Sequence, residues 1–159
     1  YQTAAPPSDW RAGTFDDSGW GQGAAKLGFG SYGPATNIDV PPPKSNRPLA
    51  AYFRRTGDVA DPGALASPQL TTIADDGVIV FVNGVEVGRS NLPAGTVTHS
   101  STWALSGPSA ASAGANPVTF TVPAALLQPG ANQISVQTQL GWKTTSDISF
   151  DARVVAVPL

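Results

Sequence analysis

The side chains that could do chemistry in this sequence include an adjacent acid pair, Asp75 and Asp76. Paired carboxylates are the groups that glycosidases use as acid, base or nucleophile. Adjacent residues of a strand point to opposite faces, however, so this pair is not expected to flank one substrate bond. We expect instead that an Asp side chain bonds backbone N–H groups in a turn, while Gly77 takes an unusual φ. The pair therefore predicts a turn and not a catalytic centre.

Thiol catalysis, cysteine-ligated zinc and multi-histidine metal sites are excluded by the composition. The sequence contains no cysteine and a single histidine, His99. It therefore has no thiol nucleophile, no Cys-ligated zinc and no multi-histidine site. A lone histidine without serine and acid partners makes no catalytic triad. We expect His99 to be an exposed strand residue.

The tryptophans are the sharpest candidates for ligand binding. Trp142 lies in a loop between the last two strands, where an indole could stack on the apolar face of a sugar ring. The alternative is an indole folded back on the core. Lys143, Asn91 and Arg89 are the candidate polar partners, although Arg89 could instead cross-link strands to an acid. Trp103 is either a second sugar platform or a core residue, and we favour the core.

β-Strands must position these side chains, and the clearest of them meet at Asn83-Gly84. A two-residue loop of this kind favours a type I′ turn, in which both central residues need positive φ. The run 78–82 is apolar throughout, whereas 85–89 alternates. The pattern predicts one strand buried on both faces beside a partner buried on one, as in a sandwich of sheets.

About eight strands are expected in total, with one short helical turn at 123–130. In the strand that begins at residue 51, Tyr52 and Arg54 share one face, while Phe53 and Arg55 share the other. Residues 104–116 are expected to form a mobile loop. The strands are predicted at 51–56, 69–74, 78–82, 85–89, 96–103, 117–122, 133–138 and 147–157.

Residues 1–50 are rich in turns and proline, which predicts an irregular N-terminal arm packed on the sandwich. The whole chain, 1–159, is expected to form one domain, because 159 residues with 41% hydrophobic content can build one core. A net charge of −2 offers no basic stripe for nucleic acid, and no apolar run is long enough to span a membrane. The sequence does not begin with Met, and its low charge would suit a secreted bacterial protein after signal removal.

Several motifs spread over residues 10–155 carry a family resemblance. They include FDDSGW (15–20), LGFG (27–30), AYFRR (51–55), the hairpin ADDGVIVFVNGVEVG (74–88), PGAN (129–132) and SDISFD (146–151). Together they resemble galactose-binding-domain-like jelly rolls, which include the sugar-binding domain of family 2 glycoside hydrolases and carbohydrate-binding modules of secreted bacterial enzymes. The resemblance implies a non-catalytic antiparallel jelly roll whose arm is anchored by Trp10 and Trp20.

Jelly rolls of this type often hold a structural Ca²⁺ ion, and four carboxylates are candidates for it. They are Asp16 with Asp17, and Asp147 with Asp151. Such an ion needs about six to eight oxygen ligands, and no EF-hand spacing is present. No other cofactor is expected.

The sequence thus predicts a non-catalytic carbohydrate-binding module of a secreted, extracellular bacterial enzyme. Its expected partners are a polysaccharide or oligosaccharide and a catalytic domain of the same polypeptide, with neither nucleic acid nor membrane. The alternative is a structural accessory domain that docks against the catalytic domain and binds no sugar of its own. An enzyme is the least favoured interpretation, because no nucleophile, metal cluster or suitably placed acid pair stands out.

Overall fold

Two packed β-sheets form the predicted all-β jelly-roll sandwich. The computed structural model describes residues 1–30, 32–38 and 47–159. Within them, nine strands make a five-stranded sheet in the order β2-β1-β9-β4-β7 and a four-stranded sheet in the order β3-β8-β5-β6. The strands are β1 (Leu27–Phe29), β2 (Thr36–Asn37), β3 (Ala50–Val59), β4 (Gln69–Ala74), β5 (Gly77–Val82), β6 (Val85–Ser90), β7 (Val118–Thr121), β8 (Gly130–Gln139) and β9 (Ile148–Val155).

Strand β5 is buried on both faces, as predicted. Val78, Val80 and Val82 point into the core between the sheets. Ile79 and Phe81 point the other way, because side chains alternate along a strand, and they are covered as well. Their cover is the N-terminal arm, so β5 lies between the main core and a second, smaller cluster.

The two sheets are joined by aromatic packing across the core. Phe53 of β3 stacks on Phe150 of β9 with ring centroids 4.1 Å apart. Tyr52 and Arg54 lie on the outer face of β3, as the alternation predicted, and there they meet the arm. The core face and the outer face of the four-stranded sheet are therefore both lined by large side chains.

The N-terminal arm (residues 1–26) is anchored by tryptophans, as predicted. Trp10 is buried and makes edge contacts with Tyr52 and Phe81, at centroid distances of 5.1 and 5.9 Å. Its other neighbour, Trp20, stacks at 6.4 Å. These contacts cover the outer face of β3 and β5 with apolar surface.

Arg54 of β3 holds the arm on the sheet through several hydrogen bonds. Its side chain is 3% exposed and donates to the Asp17 carboxylate at 2.8 Å. It also donates to the Ala12 carbonyl at 3.0 Å, to Gln133 Oε1 at 2.9 Å and to the Trp10 carbonyl. One guanidinium thus satisfies several backbone and side-chain acceptors of the arm and of β8 at once.

Residues 1–50 are less irregular than predicted. The arm leads into β1, which pairs with β9 through Leu27↔Phe150 and Phe29↔Ile148 and places two short strands at the edge of the five-stranded sheet. Residues 31 and 39–46 of the predicted 1–50 arm lie outside the described residues. Short strands form here because β9 offers an open edge, which the local sequence does not reveal.

Two other predictions of local structure are wrong. Residues 96–103 form turns and not a strand, because the Thr102 hydroxyl accepts the Thr98 N–H at 2.8 Å and bends the chain. The predicted mobile loop contains a helix, α1 (Ala110–Ala115), which is capped by Ser109 Oγ and built from the best helix-forming residue. The helical turn near 123–130 is confirmed as a 3₁₀ turn at Ala124–Leu126.

The β5–β6 turn has the predicted geometry. Asn83 and Gly84 have φ values of 49° and 84°. Asn83 is held further by its amide, which donates to Leu126 O and accepts the Gln133 N–H, both at 2.8 Å. Gly77, by contrast, does not have a positive φ. A Cβ there would lie 2.6 Å from Leu92, so close packing and not backbone conformation calls for glycine.

None of the helices among the described residues has the length and apolar character required to cross a bilayer.

Candidate functional site

Three loops meet at one end of the sandwich and carry most of the predicted site residues. They connect β4 to β5, β6 to α1, and β8 to β9. The Ala104 N–H donates to the Leu140 carbonyl at 3.1 Å, and the Gly141 N–H donates to Asp76 Oδ2 at 2.6 Å. These bonds hold the three loops together as one surface, which we call the loop end.

Two tryptophans project from the loop end. Trp142 is 67% exposed and Trp103 is 43% exposed, and Leu105, which follows Trp103 by two residues, is exposed as well. Trp142 is oriented by a hydrogen bond from its indole N–H to Thr144 Oγ1. The core alternative is therefore wrong for both indoles. Trp103 faces outward because its neighbour Thr102 turns inward to bond the chain at Thr98.

Asn91 lies at the loop end but is committed to holding the loops. Its amide nitrogen donates to the Ser106 carbonyl at 2.8 Å and to the Asp76 carbonyl at 3.1 Å. Its amide oxygen accepts from the Ser106 N–H at 3.0 Å and from the Ser106 hydroxyl at 2.9 Å. The side chain has a structural role there. Lys143, half-buried beside Trp142, remains a predicted ligand contact.

Arg89, the other predicted polar partner, lies on the outer face of the four-stranded sheet. It forms a two-pronged ion pair with Glu86, at 2.7 and 2.8 Å, and donates to the carbonyls of Pro93 and Gly95 at 2.8 Å. The hydrogen bonds from Arg89 lower the pKa of Glu86. Arg89 is therefore engaged by an acid, as the structural alternative predicted, but this acid lies on its own strand, so Arg89 does not cross-link two strands.

The acid pair is not arranged as the sequence indicated. Asp75 and Asp76 lie between β4 and β5, outside any regular strand, so alternation does not separate them. Both are buried, and the Asp76 carboxyl group is close enough to Asp75 to act on it electrostatically. Burial raises the pKa of Asp75 well above its usual range, and the charges of Asp76 and Asp147 add to the effect. The prediction that the carboxyls point to opposite faces is wrong.

The four carboxylates predicted to bind Ca²⁺ are not brought together. Asp17 pairs with Arg54, and Asp16 accepts the Ser18 N–H at 2.9 Å. The charge of Asp147 contributes to the raised pKa of Asp75 at the loop end. Asp151 lies on β9 and accepts the N–H of the next residue, Ala152. Across residues 1–30, 32–38 and 47–159, no group of three or more His, Cys, Asp or Glu side chains could hold a metal ion.

A second concave feature, the sheet-face cavity, lies between the arm and the outer face of the four-stranded sheet. It has a volume of about 590 Å³. Its floor is one cross-strand row that runs from Tyr52 through Gln137 and Ile79 to Arg89. The Gln137 amide nitrogen is buried with no hydrogen-bond partner, and Arg11 borders the cavity with its guanidinium over the Phe81 ring. This volume is typical of small-ligand pockets.

His99 borders the same cavity and is half-buried, not an exposed strand residue. Its Nδ1 lies 3.0 Å from the Tyr52 hydroxyl, and the two rings stack 5.8 Å apart. Burial lowers the pKa of His99 and raises the pKa of Tyr52 to about 12. The pair is therefore neutral at pH 7, with the tyrosine hydroxyl able to donate to the imidazole.

The lowered pKa of His99 predicts a loss of stability in mild acid. Below the ordinary histidine pKa of about 6.5 the unfolded chain binds a proton that the native state resists. The free energy of unfolding should therefore fall from pH 7 to pH 5. We expect His99→Gln, which keeps an acceptor for Tyr52 but does not titrate, to reduce this fall in urea denaturation at the two pH values. An equal fall in both proteins would refute this role of His99.

Sequence reasoning missed most of the sheet-face cavity. The signal lay in β8, where Gln133, Ser135, Gln137 and Gln139 recur at every second position. A strand with one polar face and one apolar face normally exposes its polar face to solvent. Here the polar face is buried beneath the arm and the 96–103 turns. Ser135 Oγ, Gln137 Nε2 and Gln139 Oε1 are left without partners there.

Comparisons with known proteins show a structural similarity and no family. No protein-family model matches the chain, and no curated protein does so either. Among solved structures, it is similar to the crystal structure of Streptomyces avermitilis α-L-rhamnosidase complexed with L-rhamnose. The match has 21% sequence identity and a TM-score of 0.47, and it covers 69% of this chain and 9% of the rhamnosidase chain. A match of this size does not establish a family.

Proposed function

We propose that this domain is a non-catalytic carbohydrate-binding module of a secreted bacterial enzyme, and that it binds polysaccharide through the aromatic side chains of the loop end. The observation that carries the proposal is the exposure of Trp142 and Trp103 in adjoining loops. Large aromatic side chains exposed in adjoining loops are typical of ligand-binding or partner-binding surfaces. Sugar rings suit this role, because their C–H faces pack on an indole while hydroxyls bond nearby polar groups.

The surroundings of the indoles fit a polysaccharide surface. Leu105 is a further exposed apolar side chain in the loop that carries Trp103, and Lys143 and Thr144 supply polar groups next to Trp142 in sequence. The three loops are tied by backbone hydrogen bonds and by Asn91, so the indoles are held before a ligand arrives. Such preorganisation lowers the entropic cost of binding.

The buried acids support a non-catalytic role. Asp75 and Asp76 are covered by the loops, so a glycosidic bond in solution would not reach their carboxyl oxygens. His99 is engaged with Tyr52 and is held neutral by burial, without an acid partner among the groups that shift its pKa. Neither set is positioned as the acid and base of hydrolysis.

Trp142→Ala is expected to weaken glycan binding about 10–100-fold, because uncovering one large apolar contact costs about 1.5–3 kcal/mol. Its melting temperature should stay that of the wild type, since the indole is largely outside the fold. Affinity electrophoresis against a panel of soluble polysaccharides, followed by calorimetry on the best ligand, measures the loss.

The matched control for this experiment is Gln137→Met in the sheet-face cavity. It replaces a buried, unpartnered amide by an apolar chain of similar length, so it should preserve folding and leave binding at the loop end unchanged. Loss of binding in Gln137→Met but not in Trp142→Ala would move the sugar site to the cavity. No binding of the wild type to any glycan would overturn the proposal.

A docking role is the second candidate, and the end of β9 favours it. Val154, Val155, Val157 and Leu159 are all exposed, which gives apolar surface away from the loop end. Such a surface would suit a catalytic domain of the same polypeptide. This alternative predicts that the chain forms a complex with that catalytic domain and that calorimetry with any glycan shows no heat of binding.

A further inference from the structure

We propose that the sheet-face cavity is a second binding site, which takes a small monocarboxylate with an aromatic ring. The cavity has a volume of about 590 Å³, which is enough for a ligand of this kind. Neither Trp103 nor Trp142 lines it. The site is therefore separate from the loop end, and it does not depend on glycan binding there.

The first observation is a buried donor without a partner in the cavity floor. Gln137 is 6% exposed, and its amide nitrogen makes no hydrogen bond within the described part of the chain. Its cross-strand neighbours, Tyr52 and Ile79, line the same cavity, so the three side chains share the face that borders it. An amide N–H that is removed from water and left unpaired destabilises the fold. An acceptor oxygen of a ligand at the cavity floor would satisfy this donor.

The second observation is a surplus of one positive charge at the cavity wall. The charged residues there are Arg11, Glu86 and Arg89. Both Glu86 oxygens accept from Arg89, at 2.7 and 2.8 Å, and Arg11 contributes less than Arg89 to the lowered pKa of Glu86. The Arg11 guanidinium lies over the Phe81 ring, 4.6 Å from its centroid, and forms no ion pair with a carboxylate of residues 1–30, 32–38 or 47–159. Its charge is therefore available to an anion.

His99 adds a further donor beside these groups. The Tyr52 hydroxyl lies 3.0 Å from Nδ1 and can donate to it. A neutral imidazole that accepts at Nδ1 carries its hydrogen on Nε2. Burial lowers the pKa of His99, so the ring is neutral at pH 7 and contributes no charge of its own. The wall therefore presents N–H donors together with a single net positive charge.

The class of ligand follows from these donors and from the apolar part of the wall. A carboxylate accepts several N–H groups at once and matches the fork of a guanidinium. One negative charge balances the surplus of the wall, whereas a dianion would also face the carboxylate of Glu86. The apolar surface comes from Trp10, Ile79 and Phe81, on which a flat ring can pack. An aromatic monocarboxylate therefore fits this cavity better than a neutral sugar, whose hydroxyl groups need polar partners on every side.

Calorimetry with phenylacetate tests the site, and the neutral phenylacetamide is the matched ligand. We expect one site per chain and about 10-fold weaker binding of the amide, because it lacks the charge that meets Arg11. Glucuronate keeps the carboxylate but has a hydroxylated ring, so it should also bind about 10-fold more weakly. No polysaccharide is present in these titrations, so failure here is distinguishable from failure of the proposed function.

Two variants locate the carboxylate of the ligand. Arg11→Gln should bind phenylacetate about 10-fold more weakly and lose the preference for the acid over the amide. Gln137→Met should weaken phenylacetate binding several-fold while it leaves glycan binding at the loop end unchanged. Arg55→Gln is the matched control, because it removes the same charge from an exposed position of β3 outside the cavity, and it should bind as the wild type does.

Several results would overturn the proposal. The wild type might bind no phenylacetate, or bind the acid and the amide equally, or bind glucuronate more tightly than phenylacetate. Undiminished phenylacetate binding in both Arg11→Gln and Gln137→Met would place the ligand outside the sheet-face cavity and would overturn it as well.

Discussion

Replacing Arg54 with alanine is expected to lower the free energy of unfolding by about 3–5 kcal/mol, because it removes several charge-assisted hydrogen bonds that one buried guanidinium makes. The guanidinium is 3% exposed and holds Asp17, Gln133 and two carbonyls of the N-terminal arm. Without it those acceptors stay partly buried and unpaired. Urea denaturation followed by tryptophan fluorescence measures the loss and reports on Trp10 and Trp20 directly.

Arg54→Lys should recover only part of this loss, because an ammonium group cannot reproduce the fork of five donors. Arg55→Ala is the control, since its side chain is exposed on the next position of β3 and should change stability by no more than about 0.5 kcal/mol. An Arg54→Ala protein within 1 kcal/mol of the wild type would show that the arm is held mainly by its aromatic contacts.

Trp10→Ala is the second large effect, with an expected loss of about 3–5 kcal/mol for a buried aromatic truncated to a methyl group. Its indole is the centre of the smaller cluster and contacts Trp20, Tyr52 and Phe81. Truncation leaves a cavity between the arm and β5. Chemical denaturation at 25 °C measures the change.

Trp142→Ala is the matched comparison, because it removes the same side chain from a mostly exposed position. It should alter stability by no more than about 0.5 kcal/mol. Equal losses at the two positions would contradict the assignment of Trp10 to the fold and Trp142 to the surface.

Strands that are bounded by turn-forming residues could be predicted from the sequence. Strands that form only because another strand lies beside them could not. β4 begins right after Pro68 and ends at Ala74, directly before Asp75, and its bounds agree with the prediction. β1 and β2 have only three and two residues, and they exist because β9 lies beside Leu27–Phe29. The Thr/Ser-rich run at 96–103 has good strand composition, but side-chain bonds such as Thr98–Thr102 replace the ladder.

The candidate site was predictable where a residue stands alone and unpredictable where it depends on long-range contacts. The loop position of Trp142 made it a candidate for ligand binding but left open that its indole packs on the core, and the structure shows it exposed. The commitment of Asn91 to Ser106 and Asp76 could not be foreseen, because the partners come from two other loops. The grouping of Asp75 with Asp76 was missed because alternation was applied to residues that lie outside a strand.

The long β3–β8 ladder also governs how fast this domain can form. Ala50 pairs with Gln139 and Val59 with Gly130, so the ladder joins segments far apart in sequence. β5 pairs with β6 on one side and needs β8 as its neighbour on the other. A chain emerging from the ribosome therefore cannot assemble the four-stranded sheet until β8 has been synthesised. The chain must lose the entropy of closing this large loop before strand pairing contributes any stabilising free energy. We therefore expect the domain to fold slowly, in the millisecond-to-second range of β proteins.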